Sequence, residues 1–469
     1  MTSQPSFPIL QEKDTTTMTS LEAKTPAFPE LAKKLSRLVQ FATVSSYTAA
    51  DENNEGFSEL IDELPLLFPK LHQILKLEKP SDRALLYTWE GSDPSLAPAM
   101  LCAHFDVVPE GNPQEWEQGA FSGAIVDGEL WGRGSQDIKV LMASIMEAAE
   151  QLLNQGFKPR RTILFAFGGD EEVGGARGAG AIARQLAERG VRASFLVDEG
   201  GPISIGMLSF APRPLALVGV AEKGYADLLV TTKGKGGHAS MPPKDSATVN
   251  LAKAIVAMEN KPFPARITGT LKGFLRRLSM ISAQPYRFFF RFSGLTAPFI
   301  KAAFSATPTT NALIRSTVAC TMLKGSPKEN VLAEKAQATL NVRILPGESS
   351  GSVIDRLNVL AAPFGAEVKV KHEGQVVEAS NESSTEHEGW RYIERALSLS
   401  HPEAFCLPFL FSAATDTKHY RDIAEAIYRF TALPQSQEDL ARVHAANERV
   451  KISDLERCAA FYANLIGSL

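Results

Sequence analysis

Short runs of apolar residues alternate along this chain with stretches whose apolar positions recur at helical spacing. ALLYTW (84–89), AMLCAHF (99–105), RTILFAF (161–167) and ASFLVD (193–198) have strand length, and helical patterns follow Lys139 and cover 176–189. That rhythm predicts βαβ units and a largely parallel sheet. From 214 the pattern changes: LALVGV (215–220) and ADLLVTT (226–232) read as strands, 246–259 as a helix, AQATLNVRIL (336–345) as a strand, 352–361 as a helix and AEVKVKH (366–372) as a strand. The expected organisation is a mobile leader over 1–26, a large α/β domain over 27–213, an inserted α+β domain over 214–375, and a return to the large domain over 376–469.

The predicted strands end in polar residues: HFD after the second, GGDEE after the third and DEGG after the fourth. Ligands of open α/β sheets gather at the carboxyl ends of strands. Asp106, Glu171, Glu172 and Asp198 are therefore expected on one rim. A single acid after a strand is commonly a turn former or helix cap; several together with a histidine are harder to explain that way.

Composition narrows the class. The 469 residues carry 49 Lys and Arg against 53 Asp and Glu, a net charge of −4, with 44% hydrophobic residues. This is ordinary globular composition without the basic footprint of a nucleic-acid binder. No apolar run reaches the roughly 18 residues of a transmembrane helix. Cys102, Cys320, Cys406 and Cys458 lie far apart with no CxxC pair, so neither a zinc ribbon nor a disulfide framework is indicated. The first residues lack the basic and apolar regions of a signal peptide. A cytoplasmic location is the expectation.

Three stretches carry candidate chemistry. In Leu101-Cys-Ala-His104-Phe-Asp106, the His and Asp two apart share one face of a strand, so that a carboxylate can orient a metal-binding imidazole. Trp131-Gly-Arg-Gly134-Ser-Gln-Asp137 is a glycine-punctuated loop that can hold one carboxylate in a fixed pose. Gly168-Gly-Asp-Glu171-Glu172 presents adjacent carboxylates whose side chains diverge, one free to bind metal while the other handles protons. Spacing alone does not decide between His419, in Thr415-Asp416-Thr-Lys-His419, and His444 as a further ligand.

With AHFDVVP (103–109), GRGSQDIK (132–139), GDEEVGG (169–175), LVDEGG (196–201), GGHASMPPK (236–244) and IYRFTALPQSQEDLARVHAANERV (427–450) in this order, the chain resembles the dinuclear-zinc metallopeptidase family of carboxypeptidase G, aminoacylase and acetylornithine deacetylase. Within it, the likeness is to the branch of carboxypeptidase S and the N-fatty-acyl-amino-acid synthase/hydrolase. The resemblance implies a zinc-peptidase-like α/β catalytic domain with a mostly parallel central sheet, and an inserted α+β lid and dimerisation domain.

It also implies two Zn²⁺, with Co²⁺ or Mn²⁺ as alternatives, held by His104 and Asp198 on one side and Glu172 and His444 on the other, with Asp137 between them. Glu171 becomes the general acid/base and Asp106 the orienter of His104. The ending His444-Ala-Ala-Asn447-Glu448 favours His444 over His419. The peptide bond from Asp137 to Ile138 is expected to be cis. His238, in GGHAS, is expected to reach the active site of a neighbouring subunit and stabilise an oxyanion, which implies a homodimer formed through the lid. Arg343 and Asn330 match lid positions that hold the substrate carboxylate or the developing oxyanion.

The implied function is hydrolysis of the amide of a small peptide or N-acyl amino acid bearing a free carboxylate. A short-acyl deacylase of acetylornithine or succinyl-diaminopimelate type is the rival within the class; a non-catalytic amino-acid or peptide binder is the rival outside it, although such a protein would be expected to have lost ligands or base. The stretch 263–305 is basic, free of acids and interleaved with phenylalanines. Two readings apply: a helical insertion packed on the lid or across the dimer, or a surface that meets acyl chains or membrane.

Overall fold

The computed structural model describes residues 28–48, 51–206, 211–372 and 374–469. The leader expected over 1–26 lies outside the described residues.

Eight strands form the central sheet, in the order Lys76–Ser81, Ala84–Trp89, Ile163–Gly168, Ala99–His104, Ala193–Ser204, Ala424–Gln435, Leu215–Glu222 and Phe405–Phe411. The four middle strands from Ile163–Gly168 to Ala424–Gln435 run parallel, and an antiparallel pair at 76–89 closes one edge. Ala99–His104 and Ile163–Gly168 are buried at every position, as parallel strands covered on both faces must be. Alternate residues serve opposite faces. Leu101, Phe165 and Val197 join a core with the helices Lys139–Asn154, Glu388–Ser400 and Ile452–Ile466, whereas Met100, Cys102, Ala166 and Leu196 meet the helix Ala179–Glu188.

A second, antiparallel sheet orders Thr317–Lys324, Lys335–Ile344, Gly224–Lys233 and Ala366–Val370. Gly224–Lys233 alternates between buried and half-buried positions, the pattern of a sheet covered on one face only. Its covering helices are Ala247–Glu259 and Ser350–Ala361.

Two features differ from the sequence reading. LALVGV belongs to the central sheet, not to the inserted α+β unit: Leu215–Glu222 pairs in parallel with Phe405–Phe411. All eight of its residues are buried, Ala216, Val218 and Val220 in the main core and Leu215 and Leu217 beneath the insertion. Second, apart from Phe263, which joins the core of the four-stranded sheet, the basic aromatic stretch packs elsewhere. Its helices Gly269–Ile281, Tyr286–Arg291 and Ala297–Phe304 cover the edge of the central sheet through Leu271, Phe274, Leu278, Phe290 and Ile300 against Leu215, Leu217 and Leu407.

Candidate metal centre

His104 is the last residue of its strand and is buried. Its Nδ1 lies 3.0 Å from the backbone carbonyl of Asp106 and 3.4 Å from Asp106 Oδ1. A carbonyl accepts only, so Nδ1 carries the proton and Nε2 offers its lone pair to the rim. Asp106 is itself held: Ser45 Oγ donates to Oδ2 at 2.7 Å, and the backbone N–H groups of Glu171 and Glu172 donate to Oδ1 and Oδ2 at 3.1 Å. One carboxylate thus orients the histidine and clamps the turn carrying the paired glutamates.

Asp137 sits on the glycine loop. Gly132 and Gly134 have φ of 140° and 92°, and a Cβ on Gly132 would meet Val39 Cγ1 at 2.4 Å. Glu448 pins this loop: its Oε1 accepts the N–H groups of Gly134, Gln136 and Asp137 at 3.0, 2.7 and 3.1 Å, while Oε2 pairs with Arg133 at 2.8 Å. The bond from Asp137 to Ile138 is cis, as expected. Asp137 then presents Oδ1 to His104 Nε2 at 3.3 Å and Oδ2 to His444 Nε2 at 3.0 Å. His444 Nε2 also lies 3.3 Å from Glu172 Oε1. His419 takes another role, with Nε2 at 2.9 Å from the carbonyl of Gly174.

Asp198, the expected ligand, and its neighbour Glu199 are placed differently. His104, Glu171 and Glu199 bring ligand atoms together, as do His104, Asp137 and Glu172; Asp198 is in neither group. Glu199 Oε1 is 3.4 Å from His104 Nε2. Asp198 Oδ1 instead accepts the N–H of Glu199 at 2.9 Å, and its Oδ2 is buried without a hydrogen-bond partner. The cause is a break in the ladder: Arg429 faces Asp198, but the next residue, Phe430, faces Gly201. The unpaired Glu199-Gly200 step is a bulge that re-aims a side chain. It needs its glycines, since a Cβ on Gly200 would meet Arg429 Cβ at 2.5 Å and one on Gly201 the carbonyl oxygen of Leu217 at 1.9 Å. The LVDEGG motif contained Glu199, but side-chain alternation alone could not tell which of the two acids would face the rim.

The electrostatics describe a cage for cations. Burial, then Glu199, Asp416 and Glu172, push the Glu171 carboxyl well above the ordinary range. Burial raises Glu199 to about 7 and Asp198 to about 6. Burial alone would lower His104, but Glu199, Asp106 and Asp137 outweigh it and hold its pKa well above normal; Asp137 and Glu172 push His444 up to about 10. Imidazole nitrogens and carboxylate oxygens that converge with this unmet demand for positive charge fit divalent cations.

The remaining sequence candidates lie on the smaller unit, outside these ligand groups. His238 is exposed, with Nδ1 at 2.8 Å from Ser240 Oγ, and its strand Gly237–His238 pairs with Val331–Leu332. The exposed Asn330 accepts the N–H of Ala239 through its carbonyl at 3.1 Å. Arg343 is on an interior strand of its sheet, stacks 4.8 Å from the Tyr225 ring and donates to the carbonyl of Ser412, just past the central-sheet strand Phe405–Phe411, at 3.4 Å.

Residues 100–468 match the model of Peptidase family M20/M25/M40. The chain is 36% identical over 444 residues to probable carboxypeptidase S-like 2 of Dictyostelium discoideum, covering 93% of this chain and 84% of that one. It is 33% identical over 441 residues to the N-fatty-acyl-amino acid synthase/hydrolase PM20D1 of Mus musculus, covering 93% and 87%. Its fold is similar to the M20 family metallo-carboxypeptidase Sso-CP2 from Sulfolobus solfataricus, with a TM-score of 0.66 at 15% identity over 93% of this chain and 98% of that one. The chain is therefore a metallohydrolase belonging to Peptidase family M20/M25/M40.

Proposed function

We propose that this protein uses two zinc ions to hydrolyse the amide bond of a small peptide or an N-acyl amino acid with a free carboxylate. The observation that carries the reading is Asp137, whose two oxygens face two different imidazoles, those of His104 and His444. Asp137 would hold the ions together with His104 and Glu199 on one side and Glu172 and His444 on the other. Glu199 thereby takes the role that the sequence reading gave to Asp198, and Asp198 supports it from behind. Bound zinc supplies Lewis acidity, acidifying water and polarising a carbonyl.

This chain's residues do the rest. Glu171, half-buried beside the ligands with its proton affinity raised, takes a proton from the attacking water and returns it to the leaving amine. Asp106 fixes the tautomer of His104 and the backbone of Glu171. Arg343 meets the substrate carboxylate, for which a planar guanidinium is suited, with Asn330 beside the reacting carbonyl. His238, exposed and apart from its own chain's ligands, serves the site of a second copy in a homodimer formed through the four-stranded lid. Free thiols at Cys102, Cys320, Cys406 and Cys458 suit a reducing, cytoplasmic setting. No helix among the described residues is long and apolar enough to cross a membrane.

The test is turnover of zinc-loaded protein against a panel of dipeptides and N-acyl amino acids, with Glu171→Ala alongside. Wild type should release the free amino acid while Glu171→Ala keeps its two zinc ions and loses at least 100-fold in kcat. Near-normal turnover by Glu171→Ala would refute the mechanism.

A further inference from the structure

Beneath the helices of the 269–312 insertion lies a cavity of about 480 Å³. Small-molecule sites span about 300–1,000 Å³. Its walls include Leu217 and Phe409 from the central sheet and Phe274, Phe289, Ile300 and Phe304 from the insertion; among the described residues no charged side chain lines it. The Phe289 and Phe299 rings meet edge-on at 69°, which forms an irregular apolar wall rather than parallel plates for a flat ligand.

The surroundings carry the opposite character. No acid occurs between Glu259 and Glu329. Lys272, Arg276, Arg287, Arg291 and Lys301 stand in this segment, and among the described residues none of them forms an ion pair. Large apolar side chains are also open to solvent there: Phe299 is 69% exposed and Leu295 77%. An apolar cavity beside a basic surface without ion pairs complements a molecule with an apolar body and an anionic head.

We infer that this cavity binds a single long aliphatic acyl chain whose carrier bears an anionic group. The chain's flexibility suits the irregular wall, and the basic surface meets the anion. Leu217 lies five residues before Glu222, about 17 Å along an extended strand, and Glu222 pairs with Arg429, the residue opposite Asp198. An acyl chain reaching from the metal centre into the cavity must therefore be long. The inference deepens the proposed amidase reading, on which the substrate-tail form of it rests; the same chemistry also describes a free fatty acid bound apart from the catalytic centre.

The experiment measures binding of octanoate, dodecanoate and hexadecanoate to the zinc-loaded protein by calorimetry, and kcat/KM for N-acetyl and N-hexadecanoyl derivatives of one amino acid. Two variants accompany wild type: Ala303→Trp, which fills the cavity from its lining, and Phe299→Asp, which places an anion at its exposed side. Circular dichroism checks that both fold. Affinity in wild type should rise about fourfold per methylene until the cavity is full, and each variant should weaken hexadecanoate at least tenfold. If the variants also lower kcat/KM for the N-hexadecanoyl substrate and spare the N-acetyl one, the cavity holds the substrate's tail; if they weaken fatty-acid binding and spare both substrates, it is a separate fatty-acid site. Either result supports the inference. Absence of chain-length dependence in both binding and turnover, or hexadecanoate binding unchanged in both variants, overturns it. Loss of all turnover with fatty-acid binding intact would defeat the amidase reading and leave the cavity assignment standing.

Discussion

Glu448 accepts the backbone N–H of Asp137 at 3.1 Å from a position 311 residues further along the chain. The same oxygen gathers Gly134 and Gln136, and its partner oxygen pairs with the buried Arg133. This one carboxylate therefore holds the loop that carries Asp137. Glu448→Ala should weaken zinc binding about 10- to 100-fold, the usual cost of removing a group that orients a ligand. Stability should fall by about 3–5 kcal/mol because Arg133 would remain buried without a counter-ion. Zinc titration and urea denaturation read the two effects separately; unchanged zinc affinity would dissociate Glu448 from the metal centre.

The adjacent acids Asp198 and Glu199 should separate cleanly. On the proposed assignment, Glu199→Gln is expected to bind one zinc per chain and wild type two, measured by elemental analysis after dialysis. Asp198→Asn should retain two with reduced affinity, since Asp198 Oδ1 steadies the Glu199 backbone. The reverse result would return the ligand role to Asp198. His419→Ala should keep both ions.

The proposed action of His238 across a dimer would have a distinctive signature. His238→Ala and Glu171→Ala should each be nearly inactive alone. Mixed under conditions that exchange subunits, they should recover about a quarter of the wild-type specific activity at equal ratio. Half the molecules are then mixed dimers, each with one site containing both Glu171 and a His238 from the other copy. No recovery in demonstrably mixed dimers would confine His238 to its own chain.

His401 predicts a pH effect remote from the metal centre. Burial, reinforced by Arg457, lowers its pKa from 6.5 to about 3, and its Nδ1 lies 2.9 Å from Ser400 Oγ. The folded state holds the ring neutral where the unfolded chain takes a proton. Between pH 6.5 and 3 the unfolded state thus binds more protons, so this group's contribution is intact above pH 6.5 and is lost as pH falls. At pH 5 the loss amounts to about 2 kcal/mol. His401→Asn should show a correspondingly smaller drop in urea-unfolding free energy between pH 7.5 and 5; an unchanged drop would exclude His401 as its source.

Much of the catalytic rim was legible because its signals are local. His104 closes a strand with Asp106 just past it, Glu171 and Glu172 follow another, and glycines at 132 and 134 announce a loop that only unusual backbone angles can form. The separation of Leu215–Glu222 from Gly224–Lys233 had a local signal as well. The first is apolar at nearly every position and the second alternates, the difference between a strand covered on both faces and one covered on a single face. Their closeness in the chain hid that difference, with only Lys223 between them.

By itself the sequence determined which segments become strands and helices and which acids and imidazoles stand at strand ends as candidates for metal and proton chemistry, since these follow from side-chain chemistry and hydrophobic period. Three matters were left to tertiary structure: which of two neighbouring acids faces His104, what the basic insertion covers, and that Glu448 secures a loop more than three hundred residues away. Each depends on a long-range meeting of surfaces. A bulge, a sheet edge and a buried hydrogen-bond acceptor acquire their roles only when distant segments pack together, and no local period encodes that meeting.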